Sequence, residues 1–174
     1  ALVLNIFVAS VTAWQFYRAD YFSWRLFWPF ALLSIPMALM GGYINLPTHW
    51  FKALLGVVLL GSAVRLLIRP SAEAAVQMPA RGISLIVGAF LGLLAGLTGT
   101  GGGIFLTPVL VLKGWAHVKT AGAVSALFIL VNSLAGLTGN VIATAHFPDF
   151  IWVLIAAVLA GGVAGSYFGS RRFD

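Results

Sequence analysis

The chain has 174 residues, 61% of them hydrophobic and only 8% charged, with ten Lys and Arg against four Asp and Glu and a net charge of +6. A soluble domain carries roughly 25% charge; so few ionised side chains cannot cover a core of this size with a polar skin, and lipid must take its place. The cations close apolar runs, where they anchor helices and meet anionic headgroups. That excludes nucleic acid as the partner of the positive charge, and the absence of cysteine excludes a disulfide framework, a thiol nucleophile and a thiolate-held metal.

In chain order, residues 1–16 form a first apolar run. It opens on Ala1 without a basic n-region and is not a signal peptide, so the chain reads as a piece of a longer protein. Residues 17–25 form a connector in which Arg18, Asp20 and Arg25 mix with Tyr17, Tyr21 and Trp24, the blend of rings and cations that a membrane interface collects. Residues 26–44 form a second span, bent by Pro29 and Pro36. An uncharged loop, 45–50, leads to a third span, 51–68, where Arg65 snorkels outward.

The longest polar stretch, 69–82, divides the chain into two halves. Beyond it lie an apolar, small-residue run at 83–99, the sequence Thr100-Gly101-Gly102-Gly103, and a short apolar piece, 104–112, containing Pro108. A basic connector, 113–119, precedes a span at 120–143, a loop at 144–150 with Asp149, and a last span at 151–169 before Arg171 and Arg172.

The connectors at 17–25, 65–82, 113–119 and 170–172 hold nearly every Lys and Arg and should face the cytoplasm; those at 45–50 and 144–150 hold none and should face outward. Both ends of 83–112 are then cytoplasmic, so this stretch is not one crossing. The expectation is a re-entrant or broken hairpin turning at 99–103, with a single long interrupted helix as the alternative. Phe22 and Trp24 recur as Phe150 and Trp152, and Asn5 matches Asn132 at almost the same offset. The matched spans would run in opposite directions, the inverted-repeat arrangement of many secondary transporters. The predicted fold is thus all-α: a polytopic transmembrane helix bundle with a glycine-rich broken or re-entrant helix and an inverted repeat.

Gly88, Gly92 and Gly96 form a smooth helix face, as do Gly161, Gly165 and Gly169, and such faces serve close helix packing. Gly99, Gly101, Gly102 and Gly103 are different. Four glycines in five positions make a poor helix, and non-helical backbone within a membrane must line protein or water. A glycine nest with free N–H groups before a helix N-terminus is an anion cradle, to which Thr98, Thr100 and Thr107 would add hydroxyls. The segment is read as part of a substrate site or as an architectural break.

Asn132, with Ser125 and Ser133, places polar groups inside a span, either bonding across the bundle or facing a pathway; Asn5 is read the same way. No Asp or Glu lies deep in a span, which disfavours a carboxylate proton relay or cation cage. A P-loop would need Gly-Lys-Ser/Thr where Gly103 is followed by Ile104, and a dinucleotide fingerprint would want a small residue there. His49, His117 and His146 lie in separate predicted loops without metal-ligand spacing. Neither catalytic chemistry, a metal nor a cofactor has a visible carrier.

Residues 92–110, Gly-Leu-Leu-Ala-Gly-Leu-Thr-Gly-Thr-Gly-Gly-Gly-Ile-Phe-Leu-Thr-Pro-Val-Leu, resemble the glycine-rich motif of the sulfite exporter TauE/SafE family of bacterial membrane transporters. Phe51-Lys52-Ala53-Leu54-Leu55-Gly56 through Leu66-Leu67-Ile68-Arg69 resembles the span before that family's second repeat. The resemblance implies about eight membrane segments in two related halves. On that pattern 1–68 is the C-terminal part of the first repeat with three spans, 69–82 is a cytoplasmic connector, and 83–174 is a second repeat truncated before its last span. It implies a multi-pass inner-membrane secondary transporter, an exporter of small anions such as sulfite, sulfonates or other organosulfur compounds. The contrasting reading is a membrane scaffold or assembly protein that transports nothing. The partners are then a small anionic solute and the lipid bilayer, with coupling ion and homo-oligomer formation left open. Carried over, the substrate-binding positions are Gly99, Thr100, Gly101, Gly102, Gly103, Pro108 and Asn132.

Overall fold

The computed structural model describes residues 2–44, 56, 60, 76–144, 158–163 and 165. Several expectations lie outside these residues: the 45–50 loop, most of the 51–68 span with Arg65, the 69–75 stretch, the 145–150 loop with Asp149, and most of the last span with Arg171 and Arg172 beyond it. The described segments of five residues or more form five full helices, α1 (Leu2–Arg18), α2 (Trp24–Tyr43), α3 (Arg81–Thr98), α4 (Gly103–Leu112) and α5 (Val118–Thr144), with 158–163 helical as well. Among the described residues there is no strand. Among the described residues three helices are long and apolar enough to cross a membrane: Trp24–Tyr43, Arg81–Thr98 and Val118–Ile142. At 1.5 Å per residue the 18 residues of α3 cover about 27 Å, close to the hydrocarbon thickness.

Composition explains the helices and their outward faces. Each span is built from Leu, Ile, Val, Phe and Ala, with its small residues turned inward and many of its large apolar ones outward. Ile86, at 72% exposure, and Phe90, Leu32 and Trp28 point away from the bundle, as lipid-facing side chains do. Pro29 and Pro36 both lie inside the continuous α2, each removing one backbone donor from it.

Glycine sets the spacing of the core. Gly88, Gly92 and Gly96 of α3 lie directly against the backbone of Phe30, Ser34 and Ala38 of α2, so close that any Cβ there would collide with a carbonyl. The two series advance together, so α2 and α3 run parallel. Gly42 and Gly139 seat α5 equally closely, Gly42 on Gly136 and Gly139 on Leu39. At the opposite end Lys119, opening α5, reaches the Tyr21 hydroxyl at 3.5 Å and lies 5.2 Å from its ring centroid, just before α2 begins. α5 therefore runs parallel to α2. α1 runs the other way along α5, with Leu2 beside Gly136 and Phe16 beside Gly122.

Between these helices Phe30, Phe105, Phe128, Leu106 and Leu110 form a fully buried core. Close backbone approach through small residues is how membrane helices associate when lipid removes the hydrophobic drive, and the sequence expectation for Gly88, Gly92 and Gly96 holds. At Gly161 and Gly165 an added Cβ would meet nothing within 4 Å among the described residues, so the described structure gives that second face no packing partner.

Candidate functional site

The site is built on the break between α3 and α4. α3 stops at Thr98 because Gly99 turns left-handed (φ 64°), its N–H closing onto the Gly96 carbonyl. Gly101 and Gly102 are also left-handed, at φ 71° and 75°, and α4 starts at Gly103. Left-handed backbone costs an ordinary L-residue roughly 1–2 kcal/mol. Three such positions in four therefore explain why glycine fills the turn, and why the chain does not continue as one helix.

Space makes a second demand. A methyl on Gly101 would lie 2.5 Å from the Ser133 hydroxyl oxygen and 2.8 Å from Ile129 Cγ2. One on Gly102 would lie 2.9 Å from Ala95 Cβ and 3.0 Å from Phe128 Cε1. At Gly103 it would strike the Ile129 side chain and lie 2.9 Å from the Ser125 carbonyl. At Gly99 it would meet only Leu2 Cγ, at 3.7 Å. The turn thus presses on one face of α5, a stripe running from Ser125 through Phe128 and Ile129 to Asn132 and Ser133, as helical spacing brings together.

That face is polar and incompletely bonded. Asn132 and Ser133 are wholly buried and Ser125 nearly so. The Asn132 amide donates from Nδ2 to the Phe128 carbonyl at 2.9 Å. Its Oδ1 has no partner, nor have the hydroxyls of Ser125 and Ser133. A buried polar atom left unbonded costs about 1–3 kcal/mol, so three along one face of α5, with the Ser133 hydroxyl against Gly101, mark a place where further hydrogen-bonding groups belong.

The threonines behave differently from the serines. Thr98 donates to the Leu94 carbonyl at 2.6 Å, so its contact with Thr100 at 2.7 Å uses the Thr100 proton. Thr107 donates to the Gly103 carbonyl at 3.2 Å. All three hydroxyl protons are committed within the protein, and the uncommitted donors are Ser125, Ser133 and backbone. Among the described residues, Thr100, Gly101 and Gly102 donate their N–H groups to no backbone carbonyl. Asn5 of α1 closes the turn from the other side, its Nδ2 donating to the Gly99 carbonyl at 3.4 Å.

The glycine turn meets Ser133, Ile129, Phe128 and the Ser125 carbonyl, and Asn132 shares that face of α5 by helical spacing. Pro108 lies inside α4, five residues beyond Gly103 and about 7.5 Å along the axis, on the helix rather than in the turn. Sequence reasoning had no signal for Phe128 and Ile129, the apolar walls of the turn, because nothing separates them from other core residues before the helices are packed. No cluster of His, Cys, Asp or Glu suited to a metal occurs among the described residues.

A bundle of membrane-spanning helices around a non-helical turn held within protein defines a polytopic membrane protein. The chain belongs to the sulfite exporter TauE/SafE family, whose model matches residues 1–173. It is similar to the "Probable membrane transporter protein y4hK" of Sinorhizobium fredii, with 38% identity over 177 residues covering 98% of this chain and 71% of that protein. No solved structure matches it. It is accordingly a secondary membrane transporter and not an enzyme, a multi-pass protein of the bacterial inner membrane.

Proposed function

We propose that the chain carries small oxyanions such as sulfite or organic sulfonates outward by alternating access, with the 99–103 turn and the facing stripe of α5 as the binding site. The observation that carries this reading is the meeting of a left-handed glycine turn with the unpartnered Ser125, Asn132 and Ser133. Backbone N–H groups at the start of α4, reinforced by its N-terminal dipole, hold the anion's oxygens, and the two serine hydroxyls donate from α5. Asn132 Oδ1, an acceptor, receives a proton borne by the ligand or by a bridging water. Gly99, Gly101, Gly102 and Gly103 shape the cradle, Thr100 braces Thr98 beside it, and Pro108 keeps α4 short of regular bonding at its midpoint.

The turn works as the tip of a re-entrant hairpin. Three observations support this: the Gln77 N–H donates to the Gly114 carbonyl at 2.9 Å, tying the two ends of the 81–112 segment together; α3 runs parallel to α5; and α5 continues beyond the level of Ser133. In the same reading residues 1–68 and 83–174 belong to two inverted repeats joined by 69–82. α1 and α5, which carry the matched Asn5 and Asn132, run antiparallel, with Leu2 beside Gly136 and Phe16 beside Gly122. That register puts Asn5, whose amide donates to the Gly99 carbonyl, level with Ser133, one residue from Asn132.

The test is radiolabelled sulfite flux into proteoliposomes, with sulfate and taurine as competitors. Saturable, protein-dependent flux that Gly102→Val abolishes while folded protein persists is the expected result. Full activity in that variant would remove the turn from the substrate site. No flux above empty liposomes from folded protein would remove sulfite as the substrate.

A further inference from the structure

At the cation-bearing end of the bundle, about 27 Å along α3 from the glycine turn, a second site opens between α2 and α3. The two helices start side by side, and the extended residues before α3 fold back over the first turns of α2. Together they enclose a cavity of about 320 Å³ lined by Arg25, Trp28, Pro29, Met78, Arg81 and Ser84, among others. Arg25 is the second residue of α2 and Arg81 the first of α3. Neither helix has an acidic residue in its first turn, and among the described residues no acidic one lines the cavity. Two arginines, both exposed, and the first turns of two helices therefore border one concave space.

The rest of the lining says what kind of anion fits. Most of the wall is apolar, from Leu26, Trp28, Pro29, Met78 and Pro79, and Trp28 and Met78 are each more than half exposed. Ser84, buried at the cavity floor, uses its hydroxyl on the Ala80 carbonyl at 3.3 Å and adds no further donor. A small hydrated anion would gain only from the two arginines. A phosphodiester on a glycerol backbone matches both halves of the lining: its two free oxygens suit the forked guanidinium donors, and its glycerol and first methylenes suit the tryptophan and methionine.

We propose that this cavity binds the headgroup phosphate of an anionic phospholipid, with Arg25 and Arg81 as its ligands. The site is separate from the substrate site and does not rest on the identity of the transported anion. Bound there, the lipid bridges the first turns of α2 and α3, at the opposite end of α3 from the glycine turn.

The experiment is native mass spectrometry of the purified protein, titrated with phosphatidylglycerol or with phosphatidylcholine, alongside the R25Q/R81Q double variant and R18Q. Arg18 lies on α1 and outside the cavity, so R18Q tests charge without the site. A cation beside an anionic headgroup contributes about fivefold in affinity, so the double variant should lose about thirtyfold for phosphatidylglycerol. R18Q should change it less than about threefold, and phosphatidylcholine should bind the unaltered protein more weakly than phosphatidylglycerol. An equal loss in R18Q, or equal binding of the two lipids with no effect of R25Q/R81Q, would overturn the assignment. Displacement of phosphatidylglycerol by millimolar inorganic phosphate would reassign the cavity to free oxyanions and overturn the lipid. Retained helicity and monodisperse elution of R25Q/R81Q, measured in parallel, separate loss of binding from loss of fold; if that variant is misfolded, the single R81Q, expected to lose about fivefold, decides on the same criteria.

Discussion

Gly99 and Gly101 separate two reasons for a glycine that sequence alone leaves combined. Both are left-handed, at φ 64° and 71°, so alanine at either costs about 1–2 kcal/mol of backbone strain. Only Gly101 is also crowded, since its new methyl would sit 2.5 Å from Ser133 Oγ and 2.8 Å from Ile129 Cγ2. Overpacking of that kind costs typically about 1–3 kcal/mol. Gly101→Ala should therefore lose about 2–5 kcal/mol of stability, and Gly99→Ala about 1–2 kcal/mol. Asparagine enters left-handed backbone more readily than alanine, so Gly99→Asn should fall below Gly99→Ala in cost. The assay is equilibrium unfolding in mixed micelles, followed by far-ultraviolet circular dichroism, with sulfite flux measured on the same preparations. Gly101→Ala should also lose flux, because the collision pushes α5 away from the turn. Equal losses at the two positions would refute the packing of Ser133 and Ile129 on Gly101. No loss at either would refute the left-handed turn itself.

The other predictions concern the packing and the polar stripe. Gly92→Ala, which would drive a methyl into the Ser34 backbone, should destabilise by about 1–3 kcal/mol, whereas Gly82→Ala, with nothing within 4 Å, should stabilise by about 0.5–1 kcal/mol; the same unfolding assay ranks them. Ser133→Ala removes a buried hydroxyl without a partner, so the fold should be as stable or more stable while the KM for sulfite rises roughly tenfold for the lost hydrogen bond. A parallel fall in stability and flux would show instead that Ser133 is structural. Asn5→Ala gives up the 3.4 Å bond to the Gly99 carbonyl and should cost about 0.6 kcal/mol, read as a small shift of the unfolding midpoint.

The membrane class, the helical content and the break at 99–103 were all legible in the sequence, because each follows from local chemistry. Long uncharged apolar runs have no soluble alternative, and four glycines in five positions cannot continue a helix. The packing role of Gly88, Gly92 and Gly96 was legible too, since a four-residue repeat lays small residues along one face. Their partner was not. That α3 lies parallel to α2, with Gly92 on Ser34 and Gly96 on Ala38, depends on which of several similar apolar faces meet, and periodicity is blind to that choice.

The same limit governed the site. Asn132, Ser125 and Ser133 stood out as polar residues inside a span, with two readings open at Asn132. Only the assembled helices decide that Asn132 bonds within its own helix through Nδ2, that its Oδ1 and both serine hydroxyls stay unpartnered, and that the threonine hydroxyls are already engaged. The Arg25 and Arg81 cavity had no counterpart in the sequence, for the two residues are 56 positions apart and line one cavity only because their helices begin together. Sequence determined which segments enter the bilayer and where the backbone must break, since burial and glycine's freedom act on neighbouring residues. Tertiary structure decided which polar atoms are left without partners, since satisfaction of a buried group depends on what another helix brings to it.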